Sequence, residues 1–291
     1  MINALMLVAA VITMSSGGVI RKYYNEKTGA RGVFFSTALT VIFACLVFLF
    51  SSGFKFSFEI GVLWYALAFA AGFGASSLFG FLSIKTGPLS LTSLITSYSL
   101  IIPTLYGLIF LGDSTTVFFW IGLVLLCISL FLINIKEKSG EEAANVKITL
   151  PWVICVLIAF FANGIGSTVQ TMQVKAFNGA YKSEMMIVAL TVSALIIFAI
   201  SFFTERRDIP FCFKKGAWLM AISGIAIGIL NLLVMILNDG RMNASIVFPV
   251  ISGGCIIITW LVARFLYKEK LTKWQNAALV LGIVSVVFMN I

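Results

Sequence analysis

The sequence predicts an all-α polytopic membrane protein of about ten transmembrane helices, arranged as two inverted five-helix repeats. Three observations carry this: a scarcity of charge, a succession of span-length apolar runs, and a likeness between the ends of the two halves of the chain. Of 291 residues, 60% are hydrophobic and 11% charged. A soluble domain carries roughly 25% charged residues and needs them to meet water. Several stretches of 18 or more residues hold no charge at all, which is the signal of a membrane span.

Ten apolar runs can be marked, at 2–21, 33–52, 60–83, 89–111, 117–135, 150–173, 184–204, 216–238, 244–266 and 273–290. Backbone groups in lipid must be hydrogen-bonded within the segment, so each run is expected to be helical. The alternating strands of a membrane barrel are absent. The first run carries its basic residues after the apolar stretch, at Arg21 and Lys22, and is read as a retained span and not a signal peptide. Trp64, Trp120, Trp152, Trp218 and Trp274 stand near span starts, where aromatic rings favour the interface, while Trp260 lies inside the ninth run.

The connections are short. The polar, charged stretch 136–149 is the natural boundary between the halves, placing the first repeat at 1–140 and the second at 141–291. Of the 20 Lys and Arg residues, 16 fall in odd-numbered connections, Arg21 counted among them, and four in even ones. The positive-inside rule then puts the odd connections in the cytoplasm and both termini outside. The net charge of +9 is read as lipid-facing orientation and not as a nucleic-acid footprint, because no soluble stretch is long enough to form a reading domain.

A shift of 156 residues lays 85–122 over 241–278, with Lys85 on Arg241, Asp113 on Glu269 and, in the preceding span, Gly72 on Gly228. A five-span unit enters the membrane from opposite sides in its two copies. Such inverted repeats are the architecture of many secondary transporters, which bind substrate near the midplane between the halves.

In length, span count and repeat, the chain resembles the drug/metabolite transporter superfamily in its ten-helix, EamA-like form. The local marks are Leu111, Gly112 and Asp113 after the fourth span and Tyr267 to Thr272 after the ninth. Each is followed by a small residue, Gly122 or Ala278, nine positions after the acid. The second copy has Lys268 where the family usually has glycine. The resemblance implies a transporter of metabolites, amino acids, sugars or organic cations, through a cavity lined by both repeats. It also implies cytoplasmic termini in many relatives, opposite to the charge count.

An ionisable residue inside the membrane is a functional hypothesis by default, and all eleven acids fall at span ends or in connections. This argues against a permanently cationic substrate. The remaining candidates are neutral. Asn163, Ser167 and Gln170 form one stripe of the sixth span, which Gln173 extends, and Asn231 lies past the middle of the eighth. Thr92, Thr96, Ser99 and Pro103 share a stripe of the fourth span, and Pro103 and Pro249 can each kink a helix. Tyr98 and Trp260 are aromatic wall candidates. The substrate-binding set is therefore Asn163, Ser167, Gln170, Asn231, Thr96, Ser99, Tyr98 and Trp260, although interhelical hydrogen bonding and plain packing would account for the same residues.

No enzyme constellation is present: there is no histidine, no GxSxG, no P-loop and no mid-span carboxylate pair. Cys45, Cys127, Cys155 and Cys255 fall in spans and Cys212 in a connection, without metal-ligand spacing. No cofactor is expected. The expected partners are a small-molecule substrate and the lipid bilayer, in a bacterial-type plasma membrane. Neutral amides and hydroxyls suit a small neutral or zwitterionic metabolite moved by alternating access. Export of a drug or lipid-linked precursor, or a membrane scaffold, are the alternatives.

Overall fold

The structure is a computed structural model, and it describes residues 2–57, 59–112, 116–133, 149–268 and 273–289. The acid turns at Asp113 and Glu269 and the boundary stretch 136–148 lie outside those residues. The chain is helical throughout its described elements, with no strand among them. The helices are α1 (Ile2–Thr28), α2 (Val33–Ser51), α3 (Ile60–Thr86), α4 (Leu89–Tyr98), α5 (Ile101–Phe110), α6 (Val117–Ile133), α7 (Leu150–Ala176), α8 (Lys182–Thr204), α9 (Ile209–Asn238), α10 (Ala244–Phe265) and α11 (Lys273–Met289).

Among the described residues, eight segments are long and apolar enough to cross a membrane; they are α1, α2, α3, the α4–α5 segment Leu91–Phe110, α7, α8, α9 and α10. Large apolar side chains such as Leu5, Trp64, Phe110, Leu195 and Phe203 point away from the protein. In water such a surface would be prohibitive; in lipid it costs nothing. The protein is a multi-pass membrane protein.

Several edges move from the sequence reading, each for a local reason. Helix α1 runs past Arg21 to Thr28, so Arg21 belongs to a helix and not to a connection. Helix α9 starts at Ile209 with Pro210 in its first turn, where a missing N–H is harmless. Cys212 is consequently a buried helical residue. The fourth run is broken into α4 and α5. Leu100 N–H donates to the Ser97 carbonyl at 3.3 Å and Ile102 N–H to the Ser99 carbonyl at 3.1 Å, three-residue reaches in place of four. Pro103 has no N–H to offer Ser99, and Ile102 takes that carbonyl instead. Pro249, by contrast, sits within a continuous α10.

Small residues set the crossings. A Cβ on Gly72 would stand 3.0 Å from the Ala162 carbonyl and 3.2 Å from the Gly166 Cα, so α3 and α7 meet backbone to backbone. Gly224 and Gly228 of α9 approach α2 as closely, at the Thr40 and Ala44 carbonyls. Trp64, Trp120, Trp218 and Trp274 are exposed as interface residues should be, but Trp152 is buried. Its indole N–H donates to the Thr92 hydroxyl at 3.0 Å, tying α7 to α4. At the ends, Phe35 N–H of the first turn of α2 donates to Glu205 at 3.0 Å, an anion placed where the helix dipole favours it. Lys182 pairs with Asp239 between the start of α8 and the end of α9.

Candidate functional site

Six helices line a partly open cavity of about 180 Å³. Helices α1, α3 and α4 contribute one part of the wall and α7, α9 and α10 the other. Each wall helix presents residues at helical spacing: Met14, Gly17, Gly18 and Arg21 from α1, and Asn163, Gly166, Ser167 and Gln170 from α7. Apolar surface comes from Phe69, Phe73, Phe248 and Ile251, and hydroxyls from Ser76, Ser93, Thr96 and Ser97.

Five of the eight residues selected from sequence line this cavity: Asn163, Ser167, Gln170, Asn231 and Thr96. The three amides are fixed by the protein through their nitrogens. Gln170 Nε2 donates to the Asn231 carbonyl at 3.1 Å, Asn231 Nδ2 to the Ile227 carbonyl at 2.9 Å, and Asn163 Nδ2 to the Ser99 hydroxyl at 2.6 Å. A carbonyl partner demands a donor, so the first two bonds define which end of each amide faces the protein. Each then has its oxygen left to accept from a solute.

Ser99 stands behind the cavity wall, at the break between α4 and α5, where it holds Asn163. Gly164 makes room for the break, since a Cβ there would stand 2.7 Å from the Ser99 carbonyl. Gln173 leaves the stripe: its Nε2 donates to the Ala180 carbonyl at 2.8 Å and steadies the turn after α7. Tyr98 is buried away from the cavity. Its hydroxyl pairs with Ser129 at 3.0 Å, and Ser129 donates to the Ala278 carbonyl at 2.7 Å, joining α4 to the α6–α11 pair. Trp260 packs against that same apolar cluster, with Leu91, Tyr98 and Phe119.

The sequence reading passed over Arg21. Only 9% exposed, it lines the cavity, donates Nη1 to the Ser77 carbonyl at 3.4 Å and lies 5.8 Å from the Phe81 ring centre. Among the described residues, no Asp or Glu lines the cavity. The cluster therefore offers amide and hydroxyl hydrogen bonds, three aromatic rings and one cation. Among the described residues no group of side chains is placed to hold a metal ion.

No protein-family model matches the chain, and no curated protein does. Among solved structures 28 chains match. One, described only as the crystal structure of a protein, superposes with a TM-score of 0.65 at 16% identity, over 98% of this chain and 95% of the other. The two share a fold along their whole length.

Proposed function

We propose that the protein is a secondary or facilitative transporter of a small neutral or zwitterionic metabolite, built like the EamA-like members of the drug/metabolite transporter superfamily. In this reading α6 and α11 complete ten spans, with α4–α5 counted as one, in two inverted halves. The packing supports it. Let α1, α2, α3, α4–α5 and α6 exchange places with α7, α8, α9, α10 and α11. The contact of α3 with α7 becomes that of α9 with α1, α2 with α9 becomes α8 with α3, and α1 with α10 becomes α7 with α4–α5; every one of these pairs is in contact. The crossing of α3 and α7 at Gly72 and Gly166 has its counterpart where Gly17 meets Ile227.

The carrying observation is the cavity between these halves, whose largely apolar wall carries amides, hydroxyls and one guanidinium. Its wall is assembled from both of them, which is where alternating access places a substrate. Its volume suits a small solute better than a lipid-linked precursor. A thermal-shift screen of detergent-purified protein against a few hundred metabolites tests the reading. A ligand at one hundred times its Kd adds about 2.7 kcal/mol to apparent stability. The reading expects one chemical class to stabilise the protein, and Asn163→Ala or Gln170→Ala to remove the effect. Stabilisation that survives both changes would place the site elsewhere.

A further inference from the structure

We propose that the solute carries a carboxylate and that Arg21 is its partner; this rests on the reading of the cavity as the solute site. The evidence begins with an inventory. A guanidinium has five N–H donors. Arg21 has a 3.4 Å bond from Nη1 to Ser77, and its buried Nε has no hydrogen-bond partner among the described residues. No ion pair of Arg21 is present among them either. A buried, unpaired charge is among the costliest groups a protein can hold.

The opposite wall shows that this cost is not structural. Gln170 occupies the matching place in α7, roughly two turns from the helix end, as Arg21 does in α1. Gln170 donates to the carbonyl of Asn231 in α9; Arg21 donates to the carbonyl of Ser77 in α3. The same interhelical bond is made once by a neutral amide and once by a cation. A cation is therefore unnecessary for holding the helices, and its charge is left for something in the cavity.

The surroundings narrow the partner. Leu89, the first residue of α4, lines the same end, so the positive pole of that helix adds to the field of Arg21. A guanidinium presents its N–H groups as a planar fork, which suits an oxyanion with two adjacent oxygens. One negative charge neutralises the site, whereas a phosphate dianion would leave an excess charge among amides and hydroxyls. The remaining monoanion sources are a small carboxylate and a lipid phosphodiester. The cavity volume of about 180 Å³ favours the first.

The experiment compares matched probes on the full chain in neutral detergent at constant ionic strength. Amino acids and short carboxylic acids are set against their own amides, with inorganic phosphate and phosphatidylglycerol as further arms. At least one acid is expected to raise the melting temperature while its amide does not, with affinity at least ten-fold weaker in Arg21→Gln and partly restored in Arg21→Lys. Acids and amides acting alike overturn the proposal, as does acid binding that persists in Arg21→Gln, or protection by phosphate or phosphatidylglycerol alone. If Arg21→Gln does not fold, the acid–amide contrast on the unaltered protein decides. Acid-selective binding without solute exchange in vesicles would sink the transport reading and leave this site standing. Exchange of uncharged solutes at full rate in Arg21→Gln would do the reverse.

Discussion

The two ends of the cavity are made by one device and finished differently. At one end Arg21 of α1 reaches the carbonyl of Ser77; at the other Gln170 of α7 reaches the carbonyl of Asn231. The amide end makes its interhelical bond at 3.1 Å and carries no charge. The guanidinium end makes its bond at 3.4 Å, carries a full charge, and has a buried Nε without a partner among the described residues. The difference separates what a fold needs from what a ligand needs. A neutral hydrogen bond suffices to hold two helices, so the excess polarity of the Arg21 end is the part that a solute would use.

The largest expected effect tests whether the two ends stand on comparable scaffolds. A side chain on Gly72 meets backbone at the α3–α7 crossing, whereas one on Gly17 meets only the Ile227 side chain at 3.7 Å. Gly72→Val should therefore destabilise by about 3 kcal/mol and Gly17→Ala by less than about 0.5 kcal/mol, read from melting temperatures in detergent. Equal effects would mean that the crossings do not differ as described.

Smaller effects should follow at the amide end. Gln170→Leu removes the side-chain bond to the Asn231 carbonyl, at a cost of about 1 kcal/mol in stability. Asn163→Ala removes one interhelical bond to Ser99, worth about 0.6 kcal/mol. Both should weaken binding of whichever solute the screen identifies. Loss of stability without loss of binding would reduce these amides to packing.

An effect of similar size tests the repeat outside the cavity. Gly112 and Lys268 both adopt left-handed backbone, with φ of 72° and 50°. The left-handed turn is thus present after both α5 and α10, with a lysine in the second. Lys268→Gly should raise stability by roughly 0.5–1 kcal/mol, because glycine takes this conformation without a Cβ penalty. Unchanged or lowered stability would show that the side chain compensates.

Much of this was legible in the sequence, and the failures are instructive. Apolar runs gave the helices to within a few residues at most ends, because lipid leaves a chain little alternative. The stripe in α7 was legible because Asn163, Ser167 and Gln170 are polar in an apolar run. Arg21 was missed for the opposite reason: a charge ends an apolar run, so the eye stops the span there. Laying Met14–Arg21 over Asn163–Gln170 exposes the shared spacing, glycine on glycine at Gly17 and Gly166 and Arg21 on Gln170. The longer shift that aligns the ends of the halves obscures it. Tyr98, Trp152 and Trp260 could not have been sorted beforehand. Whether an aromatic ring faces lipid, a cavity or a neighbouring helix depends on how the helices are rotated, and periodicity alone leaves that rotation open.

The central claim is that a solute crosses through the cavity between the halves. Its most direct test is exchange in proteoliposomes, using the strongest stabiliser from the screen as both internal and external solute. The account predicts saturable uptake of labelled solute that unlabelled solute on the far side accelerates, and that Gln170→Ala reduces at least ten-fold. Tight binding with no exchange above protein-free vesicles would contradict it.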